Sequence, residues 1–263
     1  MSPPNSAALT KLWNKVPEIT AFFWIIKILA TTVGETAGDL LATRLGLGLT
    51  ITSWVMSAVC IVALIWQIRT TRYAPTPYWL SVVLISVVGT LVSDLLVDGL
   101  HISLVITSIV FSIVLAAVFL AWYASERTLS IHTIVTTRRE LFYWSAILFT
   151  FALGTSAGDL AAETLNFGYG PSAVIFAGAI ATVAAAYNLL KLDAIACFWV
   201  AYILTRPLGA SIGDFLAKPH IAGGLGWGTI NTSIVFLVTI SALVVFLTTT
   251  RIDRYKASGP NAV

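Results

Sequence analysis

Apolar residues are grouped along the chain in eight long segments separated by short polar stretches. Each segment has about the length that a helix needs to cross the hydrocarbon core of a membrane, roughly 20 residues. Only one connection is long, and it separates two halves of four segments each. The pattern predicts eight transmembrane helices, at residues 20–42, 50–68, 78–97, 103–123, 142–162, 171–190, 195–216 and 228–249.

The composition agrees with lipid as the main solvent of this chain. Of its 263 residues, 58% are hydrophobic and only 10% are charged, and the mean hydropathy is +0.91. Charged residues make up about a quarter of an ordinary globular protein. The predicted fold class is therefore an all-α integral membrane protein, with a first half at 1–123, a cytoplasmic linker at 124–140, a second half at 141–250 and a cytoplasmic tail at 251–263.

Lysine and arginine residues lie mostly on one side of the predicted membrane. Loops and termini on the side of the N-terminus carry eleven of them, whereas the other side carries only Arg44 and Lys218. An excess of positive residues marks the cytoplasmic side, so both termini are predicted to lie in the cytoplasm. The eleven residues are Lys11, Lys15, Arg69, Arg72, Arg127, Arg138, Arg139, Lys191, Arg251, Arg254 and Lys256.

A four-fold internal repeat underlies the eight segments. In each repeat a tryptophan is followed ten residues later by a glycine and five residues further by an aspartate, and the cores read GETAGD, GTLVSD, GTSAGD and GASIGD. Two helices per repeat make the repeats parallel, so the four odd-numbered helices can gather around one axis in a pseudo-fourfold or two-by-two bundle. The tryptophans are predicted to be aromatic anchors near the cytoplasmic interface. The repeated residues are Trp24, Gly34 and Asp39; Trp79, Gly89 and Asp94; Trp144, Gly154 and Asp159; and Trp199, Gly209 and Asp214.

The repeated aspartates are the candidate functional residues. Each costs about 2.5–3.5 kcal/mol at the centre of a membrane on insertion scales, less near the interface, and intramembrane ionisable residues are functional by default. Glu35 lies one turn from Asp39, and Lys27 and Arg206 are predicted internal counter-charges that relax when an ion binds. Five acids against two bases leave a surplus of three negative charges, which a cation or protons would neutralise.

Carboxylate oxygens favour a hard metal ion such as Mg²⁺, Ca²⁺ or Mn²⁺. The predicted metal ligands are Glu35, Asp39 and Asp214, in an off-centre site between the first and fourth odd-numbered helices, and Pro207 predicts a kink or break before Asp214. The glycines are predicted to allow close helix packing. A predicted outer vestibule comprises Asp98, His101, Glu163, Lys218 and His220.

The segments GETAGDLL, GTSAGDLAAETL and GASIGDFLAKP resemble a family of bacterial multi-pass proteins known only as uncharacterised membrane-anchored proteins. That resemblance covers nearly the whole chain and implies the bacterial inner membrane as its location. The stretch from Glu35 to Asp39 is also similar to the Glu-x-Gly-Asp motif of calcium/manganese–proton exchangers. This second resemblance implies that carboxylates beside helix glycines form a manganese or calcium site.

Enzymatic function is not expected, because the chain has no G-x-S-x-G, H-E-x-x-H or Walker motif and no sizeable soluble domain. The favoured function is transport of a divalent cation such as manganese, with the aspartates binding the ion or carrying protons. The expected partners are membrane lipid and the cation and proton substrates, without nucleic acid and with no cofactor beyond a bound Mn²⁺. A cation channel with an acidic ring and a non-transporting scaffold or regulatory subunit are the alternatives.

Overall fold

Eight long helices make up most of the described part of the protein. The structure is a computed structural model that describes residues 14–44 and 48–254, and no β-strand occurs in those ranges. The helices are α1 (Ala21–Arg44), α2 (Gly48–Arg69), α3 (Pro75–Asp94), α4 (Leu104–Glu126), α5 (Thr137–Asp159), α6 (Tyr169–Leu190), α7 (Ala194–Ala217) and α8 (Thr229–Thr250).

Seven of these helices, α2 to α8, are long and apolar enough to cross a membrane. Helix α1 has 24 residues, which is sufficient length, but Lys27, Glu35 and Asp39 lower its hydropathy. The architecture is thus that of a multi-pass membrane protein whose first helix carries more ionisable groups than a typical span.

The structure corrects two details of the sequence prediction. Helix α4 extends to Glu126 and α5 already begins at Thr137, so both ends of the predicted linker are helical. The Thr136 side chain caps α5 by accepting a hydrogen bond from the backbone of Arg139 at 3.3 Å. Helix α7 is not broken, because it runs without interruption through Pro207.

Irregular backbone occurs instead in the second and third repeats. A π-helical turn, Leu95–Gly99, follows Asp94, and another, Leu160–Thr164, follows Asp159. Such turns are rare and occur frequently at functional sites. Here they continue α3 and α5 directly beyond the repeated acids.

The four odd-numbered helices form a closed ring in which α1 packs against α3, α3 against α5, α5 against α7, and α7 against α1. The glycine ten residues after each tryptophan faces the next helix of the ring, where an added methyl group would collide with a side chain. The predicted role of these glycines in close packing is therefore confirmed. The pairs are Gly34 with Ser86, Gly89 with Phe151, Gly154 with Arg206, and Gly209 with Thr31.

These glycine contacts also show that the ring is parallel and in register. Each glycine meets the residue seven positions after the tryptophan of the next repeat. The ring therefore has a tryptophan end, where the odd-numbered helices begin, and an aspartate end, where they finish.

The even-numbered helices surround the ring, and each packs chiefly against the odd-numbered helix of the following repeat. Helix α2 packs against α3, α4 against α5, α6 against α7, and α8 returns to α1. Their outer faces are apolar and exposed, as Trp54, Leu120, Val174 and Val238 illustrate. This arrangement directs hydrocarbon side chains toward lipid and keeps the odd-numbered helices inside.

Aromatic side chains fill the tryptophan end. Trp79, Trp144 and Trp199 are buried within the bundle, which corrects the prediction that these residues face the membrane interface. The Trp199 indole donates a hydrogen bond to the backbone oxygen of Leu129 at 2.9 Å. These residues pack in the core because the ring and its surrounding helices close around them.

Residues 14–18, which we call the strap, lie across the tryptophan end. The strap connects three separate parts of the chain there, and the Tyr73 hydroxyl adds a hydrogen bond to the Asp253 carboxylate. The strap's backbone hydrogen bonds join Lys15 N to Ile134 O, Glu18 N to Asp253 O, and Asn14 O to Tyr73 N, each at 3.0 Å.

A buried ion pair reinforces the strap. The Lys15 ammonium lies 2.6 Å from Glu140 Oε2 and 2.8 Å from the Ile68 backbone oxygen. The second oxygen of Glu140 accepts a hydrogen bond from Gln67 Nε2 at 3.2 Å. Lys15 is thus both a positive residue at the predicted cytoplasmic side and a structural contact. Lys11, Lys256 and the side chain of Arg44 lie outside the described part of the chain.

Candidate cation site

The four repeated aspartates and Glu35 lie around one cavity at the aspartate end of the ring. Its volume is about 90 Å³. The ionisable groups of the lining are seven carboxylates and one ammonium, so negative charge dominates. The lining residues are Glu35, Asp39, Asp94, Val97, Asp98, Leu104, Asp159, Glu163, Asp214 and Lys218.

Three of these carboxylates converge at the inner end of the cavity. Oxygen atoms of Glu35, Asp159 and Asp214 lie within 4.8 Å of one another. Glu35 and Asp214 are buried, and Asp159 is partly buried. Because metal–oxygen distances for Mg²⁺ and Ca²⁺ are about 2.0–2.6 Å, oxygens on opposite sides of one ion are about 4–5 Å apart. The three groups, supplied by α1, α5 and α7, therefore have the spacing of a divalent cation site.

This group differs from the predicted ligands by one residue, since Asp159 is in the place expected for Asp39. The Asp39 carboxylate lies 3.0 Å from the Lys218 ammonium, which also lies 3.6 Å from Asp214. Burial lowers the pKa of Lys218, but the Asp214 and Asp39 carboxylates outweigh that effect and raise it above its usual value. Lys218 therefore remains protonated and neutralises part of the acidic cluster.

The Arg206 guanidinium contacts one of the three converging carboxylates, that of Glu35. It is fully buried and donates to Glu35 Oε2 at 3.0 Å, to the backbone oxygen of Thr31 at 3.2 Å and to the Thr155 hydroxyl at 2.7 Å. It also donates to the Thr90 hydroxyl. Glu35 is thus shared between the candidate site and an internal cation, consistent with the counter-charge expected at Arg206.

Lys27 is buried inside the ring but does not reach the acids. Its ammonium lies 3.8 Å from the centre of the Phe151 ring and 4.2 Å from that of Tyr202. No hydrogen-bond acceptor lies within reach among the described residues. Aromatic rings stabilise this cation through cation–π attraction, and the direct counter-charge to Glu35 is Arg206.

The predicted vestibule is partly assembled. Asp98, Glu163 and Lys218 line the cavity, whereas His101 and His220 are exposed and lie outside its lining. The outer part of the candidate site therefore consists of carboxylates and one lysine, without imidazole.

Sequence reasoning missed Thr90 and Thr155 and did not single out Asp159 as a ligand. A signal for the threonines existed, because Glu35, Thr90 and Thr155 all stand eleven residues after the repeated tryptophan. For Asp159 no comparable signal is present. Its selection among the four aspartates depends on side-chain directions that the repeat itself does not distinguish.

A second and larger cavity is a groove of about 520 Å³ between the tryptophan-end halves of α6 and α7. Its lining is mostly apolar, including Ile180, Val183, Ile195 and Phe198, and contains no carboxylate. The groove therefore lacks the charged oxygen ligands that favour a hard cation. The smaller acidic cavity is therefore the candidate site.

Comparison with known proteins agrees with the repeat architecture. No curated protein and no solved structure matches the chain significantly. A family described as a repeat of unknown function (DUF347) matches four times, at residues 22–73, 77–128, 142–191 and 197–253. Each match covers one odd-numbered helix and the even-numbered helix after it. Because the four matches span most of the sequence, the chain belongs to this family of repeat proteins.

Proposed function

We propose that this protein is a membrane carrier for a divalent cation such as Mn²⁺, with the carboxylates of Glu35, Asp159 and Asp214 as its binding site. The observation that carries the proposal is the convergence of these groups from three helices within 4.8 Å. Uncompensated carboxylates inside a membrane bundle are costly. A bound cation offsets this cost, and cation binding therefore accounts for the cluster of buried carboxylates.

The charge balance supports a cation substrate. Seven carboxylates line the cavity against the single ammonium of Lys218, and Arg206 adds one positive charge beneath them. If every group is ionised, five negative charges remain. Asp39, Asp94 and the rim acids Asp98 and Glu163 would attract the ion and carry protons during exchange, which makes protons the second substrate.

The proposed placement has eight spans, with α1 as the eighth, in the inner membrane of a bacterium. The excess of lysine and arginine at the tryptophan end supports a cytoplasmic position for both termini. The acidic cavity then faces the outside. The strap and the aromatic cluster lie on the cytoplasmic side.

A carrier is favoured over a channel by the groups inside the ring. A cation moving from the acidic cavity along the ring would meet the buried guanidinium of Arg206, which stays charged in proteins. Fixed positive charges in a narrow path oppose cation passage. Transport through this bundle therefore requires rearrangement of the helices rather than an open pore.

The test combines cation binding with transport. Purified protein should show a melting temperature that rises with the logarithm of Mn²⁺ concentration, and proteoliposomes should take up Mn²⁺. The Asp159→Asn and Asp214→Asn variants should bind Mn²⁺ at least about tenfold more weakly and lose uptake, because each removes a charged ligand.

Asp193→Asn is the matched control, since Asp193 caps α7 at the opposite end of the bundle and asparagine also caps helices. This variant should behave as the wild type. Parallel titrations with Mg²⁺, Ca²⁺, Zn²⁺, Co²⁺ and Na⁺ identify the preferred ion. A melting temperature unaffected by every cation, with no uptake above that of empty liposomes, favours a non-transporting scaffold and overturns the proposal. Uptake that is unchanged in both aspartate variants overturns the proposed binding site.

A further inference from the structure

Arg206 is the one described side chain that hydrogen-bonds to the three other helices of the ring. It belongs to α7 and contacts Glu35 and the Thr31 carbonyl on α1, the Thr90 hydroxyl on α3 and the Thr155 hydroxyl on α5. The planar guanidinium places two nitrogens among these acceptors: Nη1 donates to the Thr31 carbonyl, and the two hydrogens of Nη2 are shared among Glu35, Thr90 and Thr155. A lysine ammonium, a single point charge on a flexible stem, does not reproduce this fork.

The repeat explains how these acceptors come to one level. Glu35, Thr90 and Thr155 occupy the same position of the first three repeats, eleven residues after the tryptophan. The fourth repeat has Ala210 there, so its helix contributes no side chain that would compete for the space. Arg206 extends from the preceding turn of that helix, and the contacts form one layer across the ring.

The layer lies immediately below the candidate cation site, and Glu35 belongs to both. Its Oε2 atom accepts from Arg206 at 3.0 Å, while its carboxylate is one of the three that converge within 4.8 Å. A divalent cation at the site would draw on the same carboxylate and would repel the nearby guanidinium. The cation and Arg206 therefore compete for Glu35.

We propose that Arg206 is a lock that holds the four helices together at the tryptophan side of the site, and that cation binding at Glu35 releases it. This inference rests on the proposed function, because it makes Arg206 the residue that couples cation binding to the opening of the bundle. In the absence of a cation, Arg206 neutralises Glu35 and keeps the path to the tryptophan end closed. With the cation bound, the layer loses its one charged acceptor, and the ring is free to open.

Thermodynamic linkage provides the test, because the cation and the Arg206 guanidinium compete for Glu35 and therefore weaken each other's binding by the same factor. Isothermal titration calorimetry with Mn²⁺ compares the wild type with Arg206→Gln and Arg206→Lys. Glutamine removes the competing charge, so Arg206→Gln should bind Mn²⁺ at least about tenfold more tightly. Lysine keeps the charge but not the multiple contact, so Arg206→Lys should stay within about threefold of the wild type.

Hydrogen–deuterium exchange reports the lock independently of affinity. In the wild type, Mn²⁺ should speed exchange in the first turns of α5 and α7. In both arginine variants, exchange there should already be fast without Mn²⁺. Thr155→Val, nearly isosteric, removes one contact and should give an intermediate rate, which preserves the test if an arginine variant does not fold. Arg69→Gln, which removes an exposed guanidinium at the end of the outer helix α2, is the control and should match the wild type.

The outcomes separate this inference from the function it rests on. If the wild-type protein binds none of the cations, the proposed function fails. Two results would overturn the lock and leave the cation site intact, provided that the wild type binds Mn²⁺. One is an unchanged Mn²⁺ affinity in Arg206→Gln, and the other is hydrogen exchange at the tryptophan end that Mn²⁺ does not alter.

Discussion

The ion pair between Lys15 and Glu140 is expected to be a major contributor to the stability of the tryptophan end. The side chains are only 8% and 1% exposed, and their charged atoms are 2.6 Å apart. Removing one partner of such a buried pair leaves an uncompensated charge and typically costs about 3–5 kcal/mol. The Ile68 carbonyl still serves Lys15 in Glu140→Leu, and Gln67 still serves Glu140 in Lys15→Met. We therefore expect the lower end, about 3 kcal/mol, from either substitution.

The assay is a double-mutant cycle on the free energy of unfolding in detergent micelles. A Lys15→Met/Glu140→Leu double variant replaces the pair by apolar side chains and should recover most of the loss. Arg138→Ala is the control, because Arg138 is 69% exposed and 3.7 Å from its partner, and its stability should equal that of the wild type. Single variants that lose less than about 1 kcal/mol, as exposed pairs do, or a double variant that is as unstable as the sum of the singles, would refute the reasoning.

Three further predictions concern other parts of the bundle. Gly154→Ala should lower the free energy of unfolding by about 1–3 kcal/mol through overpacking, whereas Gly178→Ala, where an added methyl group meets nothing within 4 Å, should not. Tyr78→Phe should cost about 1–2 kcal/mol, since it strands the Tyr143 hydroxyl 2.5 Å away, and replacing both tyrosines should cost less than twice that. Burial raises the pKa of the Asp253 carboxyl in the folded protein. The free energy of unfolding should therefore decline as the pH rises above the pKa of about 3.9 that aspartate has in the unfolded chain. In a pH series of melting temperatures, Asp253→Asn should remove this decline.

The repeat in the sequence predicts the parallel ring well, because its spacing is a direct consequence of helix geometry. Residues seven, ten and fifteen positions after each tryptophan keep the same depth in every repeat, and the contact of Gly34 with Ser86 recurs around the ring. Helix number and the burial of the repeated glycines follow from the same pattern. What the pattern does not contain is the partner of each even-numbered helix, which depends on packing between repeats.

The candidate site was predicted in outline but not in its ligands. The four aspartates and Glu35 do line one cavity, yet the converging group includes Asp159, and Asp39 pairs with Lys218. Small differences in helix rotation decide which carboxylates meet, and a linear spacing does not record them. The π-helical turn after Asp159 could not be predicted from the sequence either, because the composition of its residues, LAAET, is that of an ordinary α-helix.

The packing of each outer helix on the following repeat has a consequence for biosynthesis. Helix α1 leaves the ribosome before the seven other long helices described, whereas its covering helix α8 leaves after them. Lys27 and Glu35 likewise obtain their neighbours Phe151 and Arg206 only after most of the chain has been synthesised. The first two repeats alone cannot complete the circle. During insertion, the helix that carries Lys27 and Glu35 must therefore either wait for the final helix or enter the membrane late.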